Sequence, residues 1–90
     1  MDAEQEQAIL RSIAANVRRL REARGLSQAE LAERAGVDFR AVQRVETAEV
    51  NSRVTVLVAL AVALDATMLD LLEPAPLTPR RRGRPARPRS

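Results

Sequence analysis

Apolar residues recur at helical spacing near the start of the chain. Ile9, Ile13, Val17 and Leu20 form one stripe and predict an amphipathic helix over residues 2–24. Gly25 stops it. Ser27 is a good N-cap for a second helix, and Glu30 stands three residues later, the spacing of a capping box. That helix runs to Ala35 and turns Leu31, Ala32 and Ala35 inward. Gly36 follows it, where the chain must take positive φ at little steric cost. Asp38 can cap a third helix that carries Ala41, Val42 and Val45 inward. A break covers Thr47 to Ser52, and a fourth helix starts near Ser52 or Arg53 and runs to Leu64. Thr67, with Asp70 three residues on, caps a short fifth helix whose Met68, Leu71 and Leu72 close the core. With no alternating strand pattern and no repeat, the expectation is an all-α, five-helix domain over residues 1–73.

Two segments depart from ordinary amphipathic patterning. Residues 25–46, GLSQAELAERAGVDFRAVQRVE, hold two short helices joined by a tight turn. Ala32 is small where the next helix crosses it, and Val42 and Val45 point that helix back onto its neighbour. A helical stripe interrupted by glycine and restarted within three residues matches a DNA-reading helix-turn-helix; a plain helical hairpin is the bland alternative. In the fourth helix, Leu57, Leu60, Ala61 and Leu64 share one face, while Thr55, Val58, Ala59 and Val62 fall roughly opposite. A surface helix is normally polar there. Val58 and Val62 are therefore candidate dimer-interface residues, the alternative being a monomer with a greasy surface.

Composition narrows the chemistry. Ninety residues make one small domain, and with Phe39 as the only aromatic residue the core must be aliphatic. The chain has no His, Cys, Lys or Tyr, so the usual general bases, nucleophiles and soft metal ligands are missing. No enzyme, cofactor or metal site is expected. The acidic start, Met1-Asp2-Ala3-Glu4, does not look like a secretory signal, and the longest apolar run, Val56 to Leu64, is too short for a bilayer. The net charge of +3 hides a division. Residues 1–79 carry nine arginines against twelve acids, a net −3, whereas residues 80–90 carry six arginines and no acid. All five prolines lie from Pro74 onward. Residues 74–90 read as a disordered basic arm suited to nucleic acid.

Together, Val17-Arg18, Leu20-Arg21, Gly25-Leu26-Ser27-Gln28, Leu31-Ala32, Gly36-Val37 and Val42 through Glu46 resemble the phage repressor and Cro type of DNA-binding domain, the xenobiotic-response-element-like family. The resemblance covers residues 13–72. It implies a recognition helix whose Phe39, Arg40, Gln43 and Arg44 face the major groove. Arg40 or Arg44 suits guanine, Gln43 adenine, and Phe39 a thymine methyl. It implies phosphate contacts from Ser27 and Gln28 at the start of the second helix and from Thr47 after the third. It also implies a partly buried structural ion pair between Arg21 and Glu46. The chain departs from the family in the stretch Thr47-Ala48-Glu49-Val50-Asn51-Ser52, where Gly, basic residues and Pro are common, and at Asp38, where Ser or Thr is usual. In the arm, Arg82-Gly83-Arg84-Pro85 is similar to the core of an AT-hook, a narrow segment that lies in A·T-rich minor grooves.

The expected function is therefore sequence-specific binding of double-stranded DNA by a dimeric, cytoplasmic, nucleoid-associated repressor. Two alternatives differ in class. One is an antitoxin or adaptor that holds a protein partner through the fourth helix or the arm. The other is a non-specific nucleoid binder driven by the arginine tail. No membrane partner is expected.

Overall fold

The computed structural model describes residues 2–49 and 52–76. Their helices are α1 (Ala3–Ala23), α2 (Gln28–Ala35), α3 (Phe39–Glu46), α4 (Val54–Ala63) and α5 (Met68–Leu72), and no strand occurs among the described residues. Capping boxes start α2 and α5 at Ser27/Glu30 and Thr67/Asp70, as the spacing predicts. The Thr67 backbone N–H donates to the Asp70 carboxylate at 2.8 Å and holds it below the ordinary carboxyl range. A third box, Asp2/Gln5, starts α1. Asp38 differs from expectation. It stands at the N-cap of α3, but its side chain makes no cap hydrogen bond. The N–H three residues on, that of Ala41, is bonded instead to the Asp38 main-chain carbonyl at 3.0 Å, and the Ala41 methyl cannot return a hydrogen bond as Glu or Gln would.

Four helices end in one motif. After α1, the Leu26 N–H donates to the Arg21 carbonyl and the Gly25 N–H to that of Glu22; the same crossed pair closes α2 at Val37/Gly36, α3 at Glu49/Ala48 and α4 at Ala66/Asp65. The residue inside each pair is left-handed: Gly25 (φ 69°), Gly36 (73°), Ala48 (62°) and Asp65 (57°). Leu26, Val37 and Ala66 then drop onto the core. Nothing lies within 4 Å of where a Cβ on Gly36 would sit, so a side chain there meets only backbone strain. Gly36→Ala is expected to lower the unfolding free energy by about 1–2 kcal/mol in urea denaturation; an unchanged midpoint would mean that the turn relaxes to another φ.

The helices wrap a single aliphatic core. α1 packs on α3 and α5, α2 on α3 and α4, and α4 on α5. Val17, Leu31, Val42, Leu60, Leu64 and Leu71 have no exposed surface. Two residues expected inside lie outside, Ile9 and Leu72, each 44% exposed. Helix α1 outruns the body, and none of residues 3–11 is buried. In the five-residue α5, Leu71 takes the inward direction, and its neighbour is rotated about 100° away.

Polar side chains of α1 dock the segment after α5. Asn16, 1% exposed, donates its Nδ2 to the carbonyls of Leu71 (2.8 Å) and Glu73 (2.7 Å). The Ser12 hydroxyl accepts the Ala75 N–H at 3.0 Å and donates back to the Ala75 carbonyl at 3.3 Å. The chain past Pro74, expected from its prolines to begin the arm, is thus still tied to α1 at Ala75. No helix is long and apolar enough to cross a membrane among the described residues.

Candidate nucleic-acid interface

Helix α3 separates its residues into two arcs. At about 100° per residue, Phe39, Gln43, Thr47, Arg40 and Arg44 fall within roughly 140° of one another. All five are exposed, Phe39 by 45%. Val42, Val45 and Glu46 fill the remaining arc and are buried, with Glu46 only about 20° from Phe39. The chain's one aromatic ring is thus on the surface, in line with two arginines and a carboxamide. Such an arc offers guanidinium forks, an amide and an apolar face together, and these are the groups that distinguish base edges. Arg40, Gln43, Arg44, Thr47 and Glu49 line one shallow concavity.

The buried side of α3 is anchored by charge. Glu46 is 1% exposed and receives Arg21 in a two-point grip, Nε to Oε2 at 2.7 Å and Nη2 to Oε1 at 3.0 Å. The hydrogen bond to Glu46 raises the Arg21 pKa above its already high ordinary value. Arg21 Nη1 also donates to the Leu26 carbonyl at 2.8 Å, tying the α1–α2 turn to the same pair. Arg18 adds a longer contact, Nε to Glu46 Oε1 at 3.9 Å, and donates its Nη2 to the Glu46 carbonyl at 3.4 Å. Two helices and a turn therefore converge on the last residue of α3, which sets how the exposed arc is presented.

Gln28 joins this network. Its Nε2 donates to Glu46 Oε1 at 3.0 Å, so the amide points toward α3. Sequence reasoning missed that partner, because the two residues are 18 apart and only the crossing of α2 over α3 brings them together. Beside it, the Ser27 hydroxyl accepts the Glu30 N–H at 3.0 Å, and Glu30 accepts the Ser27 N–H at 2.8 Å. The Thr47 hydroxyl lies 3.0 Å from the Gln43 carbonyl, 3.2 Å from that of Arg44 and 3.3 Å from Glu49 Oε2. It has one proton to share among these acceptors, so it is occupied locally while remaining exposed.

Elsewhere on the surface, Val54 (67% exposed), Val58 (43%) and Val62 (74%) run four residues apart along α4, and Leu69 (77%) is exposed on α5. The AT-hook-like residues Arg82, Gly83, Arg84 and Pro85 lie outside the described residues.

A protein-family model for helix-turn-helix domains matches residues 17–71. Among solved structures, the chain is similar to a hypothetical transcription factor, NHTF, from Neisseria. The two share 35% identity, the match covers 77% of this chain and 79% of that one, and the TM-score is 0.71. No curated protein matches.

Proposed function

The chain belongs to the helix-turn-helix family and is a DNA-binding transcriptional regulator, and from that premise we propose that it is a sequence-specific, dimeric repressor acting by operator occupancy. The observation that carries this reading is the division of α3. Phe39, Arg40, Gln43 and Arg44 are exposed on one arc, while Val42, Val45 and Glu46 hold the other arc against the body. In the major groove, Arg40 or Arg44 forks onto guanine O6 and N7, Gln43 pairs with adenine, and Phe39 covers a thymine methyl. Phosphates flank the groove at the start of α2, where the backbone N–H groups of Gln28 and Ala29 and the helix dipole favour an anion beside Ser27. Thr47 faces the phosphates on the other side. The arm adds Arg82, Gly83, Arg84 and Pro85 in an A·T-rich minor groove.

Two subunits meet along Val58 and Val62, with Val54 and the exposed leucines of α5 extending the seam. That arrangement sets two recognition helices about 34 Å apart on a pseudo-palindromic site. Bound there, the protein excludes polymerase. Selection of duplexes from a random pool at about 0.15 M salt tests the reading. It should return a two-fold symmetric motif, whereas a pool without any preferred sequence would refute base reading by α3.

Two substitutions separate reading from assembly. Arg44→Ala should relax base choice at one position in each half-site and cost about 1–3 kcal/mol on the selected duplex, with little change on random DNA. An equal loss on both duplexes would make Arg44 a phosphate contact instead. Val62→Glu places a charge in the seam and should convert the sedimenting species to a monomer with weaker operator binding. Unchanged sedimentation would move the dimer contact elsewhere.

A further inference from the structure

Glu49 is the acidic member of the reading face, lining one concavity with Arg40, Gln43, Arg44 and Thr47. The end of α3 sets its place there. Ala48 turns left-handed (φ 62°), and the Glu49 N–H returns to the Arg44 carbonyl at 3.0 Å. Glu49 is thereby folded back over the last turn of α3 instead of leading away from it. Ala48 is itself buried, which pins the bend to the body. The Thr47 hydroxyl lies 3.3 Å from Glu49 Oε2 and restrains the carboxylate. Glu49 is exposed, and among the described residues no ion pair joins it to Arg40 or Arg44. Its charge therefore meets whatever enters the concavity.

The donors and acceptors of this face are unequal. Arg40 and Arg44 can only donate, and Gln43 can do both. The single Thr47 proton already has three local acceptors within 3.3 Å. Glu49 is the member of the face that can only accept. An ionised carboxylate gains nothing from a phosphate oxygen, from guanine O6 and N7 or from thymine O4, because all of these are acceptors too. Adenine presents its N6 amino group beside the acceptor N7. Cytosine presents its N4 amino group with no acceptor next to it on the major-groove edge. A carboxylate is thus matched to cytosine as a guanidinium fork is matched to guanine.

We propose that Glu49 is a specificity-determining residue that accepts a hydrogen bond from the N4 amino group of a cytosine in the major groove, near the guanine gripped by Arg40 or Arg44. The inference deepens the proposed base reading by α3 and rests on it. On a duplex with another base at that position the same carboxylate faces an acceptor. One charge therefore favours the right base and disfavours the wrong ones.

Glu49→Gln keeps the shape, removes the charge and adds an amide donor. The full chain and this variant are compared by duplex selection, then by titration of the wild-type motif and of a random duplex. The wild-type motif should hold a cytosine that the variant no longer fixes, with adenine gaining there because a carboxamide suits its N6 and N7. The variant should bind the wild-type motif about tenfold more weakly. It should bind random DNA more tightly, by up to about fivefold, since one repelling charge is gone. Replacing the C·G pair by T·A should weaken wild type about tenfold and the variant far less. That replacement needs no variant to fold, and an unweakened wild type would overturn the proposal. If Glu49→Gln binds both duplexes more tightly in the same proportion and selects an unchanged motif, Glu49 only repels phosphates, and the proposal is equally overturned. Unchanged binding of both duplexes would place Glu49 clear of DNA, with the same consequence. A wild type that selects no sequence at all would instead refute base reading by α3 itself.

Discussion

Glu46→Ala is expected to lower the unfolding free energy by about 3–5 kcal/mol, because it leaves a buried guanidinium without its counter-charge. Arg21 is 7% exposed and cannot turn to water without dragging the α1–α2 turn, to which its Nη1 is bonded through the Leu26 carbonyl. Gln28 and Arg18 lose the same acceptor. For a domain of this size, whose total stability falls in the range of about 5–15 kcal/mol, such a loss leaves little margin. The informative comparison is the double variant Arg21→Met/Glu46→Met. Removing both charges relieves the desolvation that the pair overcomes, so it should be more stable than either single replacement. Urea denaturation of the three variants measures this. If Glu46→Ala costs less than about 1 kcal/mol, the range of an exposed pair, the grip contributes no more than a surface ion pair. The consequence for DNA comes from position: Glu46 ends α3, so variants that stay folded should bind the selected duplex more weakly through a less defined helix angle.

Deletion of residues 80–90 should produce the largest change in DNA affinity. The body is net acidic without them, and Glu49 lines the same concavity as Arg40 and Arg44. Each arginine that displaces a counterion from duplex DNA adds about 0.9 to the slope of log affinity against log salt. Six such contacts would contribute a slope of roughly 5, which over a fourfold rise in salt amounts to about a thousandfold in binding. The truncated chain should therefore bind more weakly at every salt concentration and respond to salt far less steeply, on specific and random duplexes alike. Its half-site motif should survive, since α3 is untouched. Titrations at about 50 and 200 mM salt suffice, and parallel salt slopes for the two proteins would show that the arm does not contact DNA.

The helices and their caps were legible because they depend on near neighbours. Ser27/Glu30 and Thr67/Asp70 close boxes over three residues, and Gly36 takes a left-handed φ one residue past its helix. The α1 box at Asp2/Gln5 carried the same signal and could have been read. Ala48 could not, since alanine does not announce positive φ, and Asp65 carried only the weak signal of a residue type that tolerates it; the crossed hydrogen bonds of a helix end impose it at both. The inward turn of Val42 and Val45 was legible from period, and the outward placement of Phe39, Arg40, Gln43 and Arg44 from the family resemblance. The partner of Gln28 was not, nor were the roles of Ser12 and Asn16, whose bonds span 55 to 63 residues.

Two kinds of decision remain distinct in this protein. Spacing and composition along the chain by themselves determined five helices, an aliphatic core, a third helix whose Val42 and Val45 turn inward, and a basic segment set apart from an acidic body. Backbone hydrogen bonds and the helical period act over three to five residues, so such features are written locally. Only the tertiary structure decided that α1 outruns the body and leaves Ile9 in solvent. It likewise turned Gln28 toward Glu46 rather than outward and moored the chain past α5 to Ser12 and Asn16. Those outcomes depend on which helices cross and where each one stops, and a buried donor or acceptor takes whatever partner the crossing brings within reach.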